Sequence, residues 1–193
     1  MPWEKSFDEE VAVSKAMDVF WQKGFEPASI ADLIAETGIT RGSLYNAFGG
    51  KEQLFIRALQ KYDQEYRCAM LTELEALDDP MLTLRKFFDG IVADTLADPL
   101  KKGCFLINTS SDLAIHGEAV NQIVRDGLRE LESFFSRNIK QAQARKELPL
   151  SLDPEASAKG LLSMVVAIRV LGRGMLDAAA LNTLAAQAMR LLH

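Results

Sequence analysis

Apolar residues recur along nearly the whole chain at three- and four-residue intervals, the spacing of one helical face, and no stretch alternates as a strand would. The first such run covers residues 8–23, where Val13, Ala16, Met17 and Phe20 share a face. Gly24 supplies a left-handed stop, and Phe25 can fold back onto the last turn. After Pro27 and Ala28, Ser29 and Asp32 stand at capping-box spacing, which predicts a second helix with Leu33 and Ile34 on its inner side. Thr37-Gly38-Ile39 breaks that helix after barely two turns. Thr40 is a good N-cap for a short third helix over 41–48, which Gly49-Gly50 ends. Lys51 then opens a long helix through Phe55, Leu59 and Tyr62 to about residue 77.

Breaks follow at Asp78-Asp79-Pro80, Asp98-Pro99, Ile115-His116-Gly117 and 149–154. Between them the pattern predicts a helix near 81–97, with Leu84, Phe88, Ile91 and Thr95 on one face, and a short one near 104–114. A long helix over 118–145 uses Val124, Leu128, Leu131, Phe135 and Ile139. Two more, near 154–173 and 178–192, close the chain. The fold class is therefore all-α, with a three-helix helix-turn-helix domain over 1–50 and a larger helical domain over 51–193.

Composition changes this picture little. The 193 residues are 48% hydrophobic, enough to fill a core, and 25% charged. Residues 1–10 have neither a basic start nor an apolar run, and the apolar stretch at 160–171 is too short to span a bilayer and contains Arg169. A cytoplasmic protein with no membrane association is expected. Cys68 and Cys104 are too few for a disulfide framework, and His116 and His193 too few for a His-rich metal site, so neither metal nor cofactor is anticipated. Net charge is −5, which opposes nucleic-acid binding globally. Locally, between Thr37 and Lys61, four bases (Arg41, Lys51, Arg57, Lys61) face the single acid Glu52, a surplus of +3.

The stretch 29–55, SIADLIAETGITRGSLYNAFGGKEQLF, carries the chemistry. Two short helices joined by a tight glycine turn meet at a steep angle, and the second can enter a major groove with its N-terminal end leading. Ser29, Thr40, Arg41, Gly42, Ser43, Tyr45, Asn46 and Lys51 are the candidate DNA contacts. Thr40 and Ser43 offer hydroxyl donors, Arg41 suits guanine or phosphate, and Asn46 suits the edge of adenine. Gly42 lets backbone approach closely, and Tyr45 reaches phosphate. Lys51 joins free N–H groups at a helix start in attracting phosphate. Leu44 and Phe48 face inward and hold the angle.

Residues 40–55, TRGSLYNAFGGKEQLF, resemble the TetR family of transcriptional regulators, and the likeness is specific over about 20–62. Ile34, four residues before the turn glycine, departs from the alanine usual in the family. The resemblance implies nine helices, a homodimer on a palindromic double-stranded operator, and release of DNA on binding a small-molecule effector, with repression the common mode. An enzyme fits poorly, because there is no glycine-rich phosphate loop, no metal-ligand cluster and no partner for a nucleophile. A protein-binding adaptor has no need of Arg41, Tyr45 and Lys51.

For the effector, a pocket between helices of the larger domain is expected, with Tyr62, Tyr66, Phe88, Cys104, Phe105, Asn108, Thr109, Asp112 and His116 as candidate lining; aromatics at helical spacing can equally be plain core. Cys104 follows Lys101-Lys102-Gly103 at a helix start, a setting that favours thiolate and suggests sensing by oxidation or alkylation, although a small buried residue at a tight junction explains it as well. Asp112 and His116 share a helix face at i, i+4 and can form a polar pair. Arg169 can meet a carboxylate ligand or an acid across a subunit interface. Leu161, Leu162, Val165, Val166, Ile168, Leu171, Ala185 and Met189 are the candidate dimer interface, because apolar residues cover more than one face of these helices and alanines permit close approach.

Overall fold

The computed structural model describes residues 7–192; residues 1–6 and His193 lie outside it. Asp8 caps α1 (Glu9–Lys23), its carboxylate accepting from the N–H groups of Glu10 (2.8 Å) and Val11 (3.2 Å). There follow α2 (Ile30–Thr37), α3 (Arg41–Phe48) and α4 (Lys51–Tyr62). The long rod expected from residue 51 exists but widens midway. A π-helical segment, Asp63–Cys68, links α4 to α5 (Ala69–Glu75). The remaining helices are α6 (Pro80–Ala97), α7 (Phe105–Ser110), α8 (Glu118–Ala144), α9 (Pro154–Leu171) and α10 (Ala178–Arg190). With α4, the π segment and α5 taken as one rod, nine helices occupy the described residues.

The short helix expected over 104–114 is interrupted. The Ser110 hydroxyl donates to the Ile107 carbonyl (2.7 Å), α7 stops there, and a single 3-10 turn, Leu113–Ile115, follows. Asp112 and His116 therefore flank that turn and do not share a helix face, contrary to the expectation of an i, i+4 pair.

Two apolar cores hold the helices. The first gathers Phe20, Leu33, Leu44, Leu54, Phe55 and Leu59 from α1 to α4, and receives Phe105 and Leu106 from α7 and Val120 and Val124 from the start of α8. The second lies among α6, α8, α9 and α10 around Phe87, Phe88, Phe134, Phe135, Leu161 and Ile168. Cys104 and Leu128 pack against both cores. Gly50 separates α3 from α4, and the packing unit that supports α3 runs on through Tyr62.

Candidate nucleic-acid interface and effector cavity

Local chemistry fixes α2 and α3. The Ser29 hydroxyl accepts from the Asp32 N–H (3.0 Å) and donates to its carboxylate (2.8 Å), and the Ser29 N–H donates to the same oxygen (2.9 Å). Lys23 lies 2.7 Å from Asp32, and this pairing with the Ser29 bonds holds the Asp32 carboxyl down at about 2. The Ser29 hydroxyl is thus engaged in the capping box and not presented as a free donor. Gly38 follows at φ +74°, a conformation that side chains resist, with open space around it, so backbone freedom is what the turn requires. Thr40 Oγ1 accepts from the Ser43 N–H (3.1 Å) and lies 3.0 Å from the Ser43 hydroxyl. Ser43 is only 9% exposed, so its expected role as a DNA donor is corrected to support of the cap.

Leu44 and Phe48 are buried and anchor α3 to the first core, as expected. Arg41, Gly42, Tyr45 and Asn46 form the outward row, at positions i, i+1, i+4 and i+5 of one helix. The Arg41 guanidinium lies 5.9 Å from the centre of the Tyr45 ring. A Cβ at Gly50 would stand 3.4 Å from that ring, so the α3–α4 turn supports Tyr45 from behind. An added Cβ at Gly42 meets only Thr40 Oγ1 at 3.8 Å, leaving the backbone there accessible.

Folding redistributes the local positive charge. Arg57 pairs with Glu9 (3.0 Å) and Glu10 (3.1 Å), and Lys61 with Glu10 (3.2 Å) and Glu65 (2.9 Å). Of the four bases, Arg41 and Lys51 are the two with no carboxylate partner among the described ion pairs. Lys51 is tethered: its ammonium donates to the Glu26 carbonyl (3.3 Å) and sits 4.5 Å from the Phe25 ring centre. It stands at the start of α4, where no side chain caps the free N–H groups.

A cavity of about 450 Å³ opens between the two cores. Tyr62, Tyr66 and Cys104 line it. The other expected lining residues lie elsewhere. Phe88 turns to Phe87 and Phe135 (ring centres 5.4 and 5.9 Å), and Phe105 wedges between Phe55 and Tyr62 (5.5 and 5.7 Å). Asn108, Thr109, Asp112 and His116 border a separate cleft against the α1–α2 loop. There His116 stacks on Phe55 (5.2 Å, 5° between planes), and burial lowers its pKa.

Trp21 stands out among the lining residues that sequence reasoning missed. It belongs to α1, yet its indole N–H donates to the Gly103 carbonyl (3.1 Å), and its ring meets Tyr62 (4.8 Å) and Tyr66 (5.3 Å). The Lys102 ammonium lies 3.9 Å from the indole centre and 3.4 Å from Asp18, also on α1. The signal available was an aromatic residue just off the apolar face of α1. Tyr62 is buried, and that burial, with the Cys104 thiol beside its hydroxyl, pushes its pKa up, so it stays a neutral phenol.

On α9 and α10 the expected interface residues divide. Leu161, Val165, Ile168 and Ala185 point into the chain's own core, and Leu162 and Met189 are half-buried against it. The first four are corrected to core, because a side chain already enclosed offers no surface to a partner. Val166 (37% exposed) and Leu171 face outward, joined by Val170, Leu191 and Met175 (79% exposed). Among the described residues no helix is long and apolar enough to cross a membrane.

Residues 12–58 match the family model of bacterial regulatory proteins, tetR family, and residues 80–189 match that of the tetracyclin repressor-like C-terminal domain. The HTH-type transcriptional regulator YezE of Bacillus subtilis (strain 168) is 31% identical over 146 residues, covering 75% of this chain and 74% of its own. The HTH-type transcriptional repressor ComR of Escherichia coli (strain K12) is 28% identical over 170 residues, 88% of this chain and 81% of its own. Among solved structures, a cysteine mutant of the TetR family regulator CifR complexed with 26-base-pair operator DNA superposes with a TM-score of 0.83 at 27% identity, covering 96% and 97% of the two chains. Matching family models over both parts of the chain, together with a helix-turn-helix whose reading face is free, place this protein in the TetR family as a DNA-binding transcriptional regulator.

Proposed function

We propose that the protein is a homodimeric repressor whose two α3 helices read successive major grooves of a palindromic operator, and that a small molecule in the cavity between the cores releases it. The outward row Arg41, Gly42, Tyr45 and Asn46 carries this reading. Arg41 and Asn46 are placed for base edges, Tyr45 for phosphate, and the start of α4 with Lys51 for a second phosphate. Several relatives are named repressors, ComR among them, which supports repression.

Groove spacing supports dimerisation, since grooves one turn apart, at about 34–36 Å, need two readers. Val166, Val170 and Leu171 on α9 and Leu191 at the end of α10, beside exposed Ala179 and Ala186, supply an apolar face for a two-fold partner. Release is coupled through Trp21, a residue of the reading module that is also a wall of the cavity. A ligand that moves the indole from Gly103 shifts α1, and with it the spacing of the two α3 helices.

A mobility shift on the DNA upstream of the gene, titrated with salt, tests the reading. A specific complex whose affinity falls steeply with salt is expected, whereas equal binding to unrelated DNA sinks it. A second reading rests on Cys104, whose thiol lines the cavity beside Tyr62 and touches both cores. Alkylation there would wedge the cores apart. Unchanged sensitivity of DNA binding to iodoacetamide in Cys104→Ser removes that reading.

A further inference from the structure

The charge on the cavity wall runs against that of the chain. Arg67, Lys101, Lys102, Arg169 and Arg173 all line it, Arg67 paired with Asp63 and Lys102 with Asp18, against the lining carboxylates of Asp94 and Asp98, in a protein of net charge −5. Asp98 is engaged in accepting from the backbone N–H groups of Leu100 and Lys102.

Arg169 is the pivotal cation. Its side chain is 16% exposed, yet among the described residues its guanidinium makes two long contacts, to the Thr95 hydroxyl (3.2 Å) and to Asp94 (3.4 Å). Asp94 itself is largely exposed to water. A guanidinium offers five donors in a planar fork suited to two parallel bonds with one carboxylate, and this arrangement leaves most of that capacity open. Independently, Arg67 holds Asp63 through Nε and Nη2, while its Nη1 is buried without a hydrogen-bond partner among the described residues. Two arginines on one cavity wall, both short of acceptors, indicate an anion in place of a neutral ligand.

The rest of the wall defines the body of the ligand. Ile91, Leu106, Leu131 and Val165 form an apolar side, and Trp21 and Tyr66 present rings. A polyanion would leave charge against this apolar side, so one acidic group on an apolar, ring-bearing body fits best. We infer that the cavity takes an aryl or arylalkyl monocarboxylate, with the carboxylate on Arg169 in place of Asp94 and the ring among Trp21, Tyr66 and the aliphatic wall. The inference rests on the reading of this cavity as the effector site.

Calorimetric titration of the full chain with benzoate, 4-phenylbutanoate and 1-naphthoate, each beside its primary amide, tests it. At least one acid should bind about tenfold or more tightly than its amide, the scale of a charge-assisted bidentate bond. Arg169→Gln should erase that preference. Asp94→Asn, an exposed change that removes the competing carboxylate, should tighten the acid several-fold, so the test survives poor folding of the arginine variant. Amides that bind as well as acids, no acid that binds below millimolar concentration, or an Asp94→Asn variant that binds the acids no better, would overturn the inference. Operator binding measured in parallel separates the two ideas. An acid that binds without loosening DNA keeps the anion site and sinks release from this cavity, whereas release by the amides alone keeps effector release and sinks the anion site.

Discussion

The outward face of α3 and the cavity beside Trp21 hold their polar groups in opposite ways. On α3, caps and glycines act within five residues of each group they position: Thr40 caps, Gly38 and Gly50 turn, and Leu44 anchors. The cavity instead draws Trp21, Tyr66, Cys104 and Arg169 from four distant parts of the chain. The reading face is therefore a local device on a rigid base, whereas the cavity exists only when both cores are assembled. Changes at one should alter affinity without touching stability, and changes at the other should do the reverse.

The largest effect should come from the second core. Phe135 is fully buried against Phe87 and Phe88, so Phe135→Ala should cost about 3–5 kcal/mol of stability. Because Phe105 and Val124 carry α7 and α8 into the first core, one cooperative melting transition at a lower temperature is expected. Two separated transitions would show that the reading module folds without the cavity domain. Arg41→Ala comes next, with a loss of about 1–3 kcal/mol in operator binding and an unchanged melting temperature. A parallel Arg57→Ala, at a base already paired with Glu9 and Glu10, should leave operator affinity close to wild type. Equal losses at both positions would mean that general positive charge, and not the α3 face, binds DNA.

The same contrast explains what was legible beforehand. Capping and turn residues act on their neighbours, so Ser29 with Asp32, Thr40 and the glycines placed α2 and α3 to within a residue. Whether a side chain lines a cavity depends on a rotation of about 100° between neighbours on a helix, which apolar identity does not reveal. Phe87 lines the cavity, and its neighbour Phe88 faces α8. Likewise Val165 is core and Val166 is surface on the same helix. The surplus of +3 over 37–61 overstated the charge offered to DNA, because pairing of Arg57 and Lys61 with the acids of α1 requires the fold. The π widening at Asp63–Cys68 has no signal in residue type at all.

Trp21 belongs to both regions, on α1 and on the cavity wall. Trp21→Phe keeps a ring in the cavity and removes the hydrogen bond to Gly103, costing about 1 kcal/mol of stability. Operator affinity without effector should stay near wild type, while effector-driven release should weaken, measured as the residual DNA bound at saturating ligand. Full release by the variant would take Trp21 out of the coupling.

His116 gives the smallest and most local test, at the edge of the first core. Its ring lies on Phe55 of α4 and beside Phe25 before α2, and burial there lowers its pKa, although Asp112, Glu26 and Glu52 pull it upward. The folded chain thus binds the His116 proton less readily than the unfolded chain, whose value is about 6.5. Stability from this residue is fully present above that value and is lost as pH falls from there through the folded value. Melting temperatures at pH 7.5 and 5.5 should differ less in His116→Phe than in wild type, because a phenyl ring keeps the stack and removes the proton. A drop of equal size in both proteins would assign the acid sensitivity to other groups and leave the stack on Phe55 indifferent to the His116 proton.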